Sequence, residues 1–108
     1  MKKIIAAIIA LSATPALASA DGFTFGKAEF DRPDVEVQFV VLRSQQELQA
    51  EAERLGAWVD DDRRIRAFSL IQKNSNKCVI YMLTPDRNYQ PEYIGHELMH
   101  CKYGRWHK

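Results

Sequence analysis

All three histidines of this chain, His96, His100 and His107, fall within twelve consecutive residues, and no other feature restricts the local fold as tightly. On an α-helix His96 and His100 stand one turn apart, about 40° from each other around the axis, so both imidazoles project from one face toward a single point. Glu97 lies about 100° round from His96, on the flank of that face, where a carboxylate can reach a water on a metal ion without becoming a ligand. Had the helix run on, His107 would lie about 16 Å along the axis from His96, too far for two ligands that share a metal at roughly 2.1 Å each. The helix must therefore stop first. Gly104 supplies the stop, because glycine takes the left-handed conformation that ends a helix, and the turn folds Arg105, Trp106 and His107 back over the metal. His96, His100 and His107 are thus the expected ligands of one Zn2+, with a fourth position open to water, and Glu97 is the expected general base. The five-residue pattern also arises by chance on exposed helices; what favours the metal is that the chain places no histidine elsewhere.

At the other end, Lys2 and Lys3 precede an apolar run over residues 4–13, Pro15 breaks it, and Ala18-Ser19-Ala20 offers a small-x-small cleavage site. Residues 1–20 read as a signal peptide, cut before Asp21, and residues 21–108 as a single small domain. The apolar run is far shorter than the ~20 residues that span a bilayer, so no membrane attachment is expected after cleavage. The address that follows is the bacterial periplasm or the medium. Without Lys2 and Lys3, 13 of the 15 basic residues remain against 14 acidic ones, so the processed chain is near neutral. Arg63, Arg64 and Arg66 follow Asp60, Asp61 and Asp62, which cancel them, and no basic cluster with interleaved aromatics argues for nucleic acid.

An oxidising compartment makes the only two cysteines, Cys78 and Cys101, an expected disulfide. The competing assignment of Cys101 as a metal ligand is disfavoured by angle, since it stands about 120° round the helix from the midpoint of His96 and His100. It shares its face with Ile94 and Leu98, and that set reads as the stripe that packs on the sheet.

Between these ends the pattern is β-α-β-β-α. Residues 35–43 are β-branched and aromatic, with Val35, Val37, Phe39 and Val41 on one face of a strand. Ser44 to Glu47 forms a capping box, and Leu48, Ala52 and Leu55 give a helical stripe ending at Gly56. Residues 57–64 are a polar connection with Trp58 and Val59 tucked inward; residues 65–72 and 78–84 are strands joined antiparallel through the turn at 73–77. The metal helix begins near Glu92. Residues 21–34 carry little regular structure beyond room for a short edge strand, and Phe23, Phe25 and Phe30 are expected to pack over the sheet. The expected fold is a small α+β core with a three-stranded mixed sheet and the metal helix at its C-terminal end.

The His-Glu-x-x-His segment with a following glycine and histidine resembles the zincin metallopeptidases, and its extension is similar to the metzincin signature. Gly104 and His107 each come one position later than that signature has them. The resemblance is to a minimal zincin core over residues 35–107 and implies His96 and His100 as ligands, His107 as the third, and Glu97 as general base. It also implies an antiparallel edge strand ahead of the metal helix that binds substrate by strand addition.

The function these features imply is a periplasmic or secreted zinc-dependent peptide hydrolase acting on a peptide or protein, with cell-wall peptide among the substrates its compartment allows. The alternative, from another class, is a secreted non-catalytic binding module whose metal is structural. Glu97 separates the two, because a structural site has no use for a carboxylate beside the metal and closes with a fourth protein ligand. Tyr93, Tyr103 and Arg105 are the candidates to stabilise an oxyanion, and Trp106 is expected to pack as a lid.

Overall fold

The structure is a computed structural model that describes residues 22–58 and 65–107; the expected leader and Val59 lie outside the described residues. Three strands and two helices follow in the order β1 (Glu36–Leu42), α1 (Gln45–Leu55), β2 (Ala67–Ile71), β3 (Lys77–Leu83) and α2 (Pro91–Tyr103). Together they form a small α+β fold on one mixed sheet.

Local sequence explains where α1 starts and stops. The Ser44 side chain accepts the Glu47 N–H at 3.1 Å, while the Glu47 carboxylate reaches back to the N–H of Arg43, one residue before the partner a capping box would give it. At the other end Gly56 adopts the left-handed conformation, φ 62°, and its N–H closes on the carbonyls of Ala52 and Glu53. Leu48 and Ala52 are fully buried from this helix, against Ile65, Phe68 and Leu83.

The hairpin forms as expected, with β2 antiparallel to β3 and Ile71 opposite Cys78. Sheet order is β1-β3-β2, so β3 is the middle strand, and β1 runs parallel to it with Val37 opposite Cys78. The chain leaving α1 is carried to the far edge, and the hairpin then returns β3 into the gap. The strand directly ahead of α2, expected at the edge, is instead β3, central and paired on both sides, and the edge position falls to its antiparallel partner β2.

Alternation places the two helices on opposite faces. Leu42, Phe68, Leu70, Tyr81 and Leu83 meet α1, whereas Val37, Ile71, Cys78 and Ile80 meet Cys101 of α2. Because α2 lies over β2 and β3, it does not cover the outer half of β1. Val35 and Val37 pack as expected, but Phe39 and Val41, on the same face, remain 48% and 51% exposed.

Residues 22–34 hold no strand, and their phenylalanines do not cover the sheet. The segment runs instead as an irregular strap past the C-terminal end of α2. Glu29 and Phe30 donate their N–H groups to the Tyr103 carbonyl, Arg32 donates to that of Lys102, and Gly26 and Lys27 donate to that of Trp106. The bonds to Lys102 and Tyr103 occupy carbonyls that the helix end leaves without partners. The Arg32 guanidinium then reaches the hairpin, donating to the carbonyls of Gln72 at 2.8 Å and Ser75 at 3.0 Å. Lys102 Nζ contacts Asp31 Oδ1, and that carboxylate raises the Lys102 pKa. No helix among the described residues is long and apolar enough to cross a membrane.

Cys78 and Cys101 are joined, with 5.7 Å between their Cα atoms, and both are buried where the middle strand meets α2. Replacing both with alanine should lower the unfolding free energy by ~2–4 kcal/mol, read from denaturant melts of the purified chain. Thiol titration of the denatured, unreduced protein should find no free thiol; two thiols, or an unchanged melt in the double variant, would remove the bridge from the account of stability.

Candidate metal centre

Helix α2 opens with Pro91 in its first turn, where the missing N–H costs nothing. Its inward face differs from the expected stripe. His96, Glu97, His100 and Cys101 are the buried residues, while Ile94 is half-buried and Leu98 is 40% exposed. The helix is rotated so that Cys101 meets the sheet and Glu97, one turn before it, is buried, while Ile94 and Leu98 line a groove with Met82, Leu83 and Pro85. The polar residues are enclosed because the strap and the last residues of the chain close over them.

The reversal at Gly104 produces that closure. Its N–H bonds to the His100 carbonyl at 2.8 Å, ending the helix, and its φ of 73° with ψ of −138° lies in a region that only glycine enters readily. It differs from the left-handed helical conformation expected, although the sign of φ is the same. Space demands glycine as well: a Cβ here would fall 2.7 Å from Phe30 Cε2 and 2.8 Å from Glu29 Cβ. Glu29 Oε1 accepts the N–H of Arg105 at 3.0 Å, holding the returning chain in place.

With the chain so turned, His107 Nε2 comes 3.1 Å from His96 Nε2, and His100 Nε2 lies 3.1 Å from the same atom. Three nitrogens at ~2.1 Å from one tetrahedral ion stand about 3.4 Å apart, and here two pairs stand at 3.1 Å with all three atoms within 4.8 Å of one another. The three histidines form a group able to hold an ion. Their chemistry fits too. His100 Nδ1 lies 2.7 Å from the Gly104 carbonyl and so carries the proton, which leaves Nε2 of the neutral ring as the lone-pair nitrogen facing the cluster. A cation would draw the three ring nitrogens to one point.

Aromatic rings wall the cluster. Phe23, from the strap, lies 4.2 Å from the His107 ring and 4.9 Å from His96, centroid to centroid. Trp106 packs against His96 at 4.9 Å and His100 at 5.3 Å, with Phe25 stacked on its outer face. Trp106 is thus buried and packs over the cluster, as expected. Its indole Nε1 is enclosed with no hydrogen-bond partner among the described residues. Trp58 stands edge-on to His100 at 5.5 Å and reaches His107 at 6.0 Å, and it remains exposed. Sequence reasoning missed Phe23 and Trp58 as neighbours of the site; alternation of Phe23 and Phe25 around a small residue was the one available signal for a segment that lies flat on other aromatics.

Glu97 is 4% exposed, next to a histidine of the cluster and on the sheet side of it. Of the three oxyanion candidates, Arg105 is joined to the cluster through one ring, Trp58, and Tyr103 only through two, Phe25 and Trp106. The Tyr93 ring lies under Arg66, and Tyr103 is held between Phe25 and Lys102. No protein family, curated protein sequence or solved structure matched the chain.

The purified chain should carry about one zinc, and His100→Ala should lose it; full stoichiometry in that variant would overturn the site. Gly104→Ala should cost ~1–3 kcal/mol from the backbone alone and weaken metal retention, since it disturbs the turn that returns His107. Metal content after dialysis against a weak chelator reads the second effect.

Proposed function

We propose that this protein is a zinc-dependent peptide hydrolase of the zincin type, with His96, His100 and His107 as ligands and Glu97 as general base. The observation that carries the reading is the convergence of three imidazole Nε2 atoms with a buried carboxylate on the adjoining helix position. When bound, Zn2+ would lower the pKa of a coordinated water toward ~7 and polarise a carbonyl oxygen. Glu97 takes the proton from the attacking water and hands it to the leaving amine, so one carboxylate serves both transfers. Phe23 and Trp106 exclude bulk water from the histidines, which strengthens the electrostatic interactions within. The free side of β2 offers backbone groups to an extended peptide.

The donor set that supports this reading is the three histidines. Three protein ligands leave a position for water or substrate, whereas structural zinc is closed by four. Export to the bacterial periplasm or medium remains the compartment proposed for this activity, on the leader at residues 1–20 and the paired cysteines.

Glu97→Gln keeps size and removes the base. Zinc content and melting temperature should stay close to those of the unaltered protein, while cleavage of a broad peptide mixture falls ~10²–10⁴-fold. His96→Ala should lose metal and activity together. If the unaltered protein cuts no peptide, or Glu97→Gln cuts as well as it does, the hydrolase reading fails and the binding-module reading replaces it.

A further inference from the structure

Arg105 projects into solvent at the rim of the histidine cluster. Its guanidinium carbon lies 4.7 Å over the Trp58 ring, and that ring stands 5.5 Å from His100. The root of the side chain is fixed, since its own N–H is held by Glu29 Oε1 and both neighbours, Gly104 and Trp106, are buried. Among the described residues no carboxylate pairs with the guanidinium. A cation held against an aromatic face keeps its planar edge of N–H donors free, which is the presentation that binds a carboxylate through two parallel hydrogen bonds.

We propose that Arg105, stacked on Trp58, binds a substrate carboxylate, so that the hydrolase prefers peptides carrying that group within a few residues of the bond it cuts. This rests on the hydrolase reading. The steps of 4.7 Å and 5.5 Å keep the guanidinium within ~10 Å of the His100 ring, a span of about three residues of extended peptide at ~3.3 Å each. The same placement argues against Arg105 as the oxyanion donor, because that role requires a donor 2.7–3.1 Å from the developing charge in a site closed to water. Two sources present the required chemistry, a C-terminal α-carboxylate and an aspartate or glutamate side chain.

The test is binding to zinc-loaded Glu97→Gln protein, so that turnover does not enter. Three probes are titrated by calorimetry: acetyl-trialanine as the free acid, the same peptide as its C-terminal amide, and the amide with glutamate in the middle position. At least one carboxylate-bearing probe should bind about 10- to 100-fold more tightly than the plain amide, and which one does so identifies the source. The preference should vanish in Glu97→Gln/Arg105→Gln and survive in part with lysine at position 105, at unchanged zinc content. Equal binding of all three probes, no binding of any, or a preference that persists without Arg105 overturns the proposal; the last would mean that the carboxylate meets the metal directly. Failure of the hydrolase reading shows elsewhere, as absent cleavage by the unaltered protein.

Discussion

A helix places ligands at one-turn intervals along a line, so a third ligand for the same point in space has to come from chain that has stopped being helix. In this protein that requirement falls on Gly104. Its conformation is closed to other residues, its missing side chain makes room for Glu29 and Phe30, and its carbonyl fixes the tautomer of His100. One residue thus ends the helix, admits the strap and orients a histidine of the cluster. The approach of His107 to His96 follows from the first two, and the direction of the His100 lone pair follows from the third.

Two ties keep this turn in register with the sheet. The Cys78–Cys101 bridge anchors α2 to the middle strand one residue past His100, so the helix cannot slide relative to the sheet. The strap acts from the other side, capping the carbonyls of Lys102 and Tyr103 and passing through Arg32 to the hairpin turn. A chain this short buries a limited core, and covalent or metal ties then carry a larger share of the stability.

Features written in neighbouring residues were legible in the sequence. Ser44 and Gly56 bound α1, the turn at 73–77 sets the hairpin, and the pairing of Cys78 with Cys101 follows from their being the only two cysteines on elements that must touch. The order of strands was not legible, because nothing in residues 36–83 records that the last strand enters between the first two. The rotation of α2 was misread for a related reason. Apolar Ile94 and Leu98 look like the residues to bury, yet Glu97 and the histidines are buried in their place, since the strap and the returning chain supply the cover on that side. The strap carried almost no signal: its hydrogen bonds go to helix-end carbonyls, a pattern with no period, and its phenylalanines meet rings that are distant in sequence.

Burial of so much polarity has to be compensated. Placing a carboxylate and three imidazoles between aromatic rings costs several kcal/mol unless hydrogen bonds or charge offset it. The His100 bond to Gly104 supplies part of that. A divalent ion among the three Nε2 atoms would add to it, since its charge is opposite to that of the Glu97 carboxylate and its lone-pair demand is what the imidazoles offer. Among the described residues the rings that touch the cluster are those of Phe23, Trp58 and Trp106. An all-nitrogen set of three suits Zn2+ better than Mg2+ or Ca2+, which require oxygen. Trp58 and Arg105 stay exposed at the rim, so a ligand entering the fourth position would pass over an aromatic face and a guanidinium before it meets the histidines.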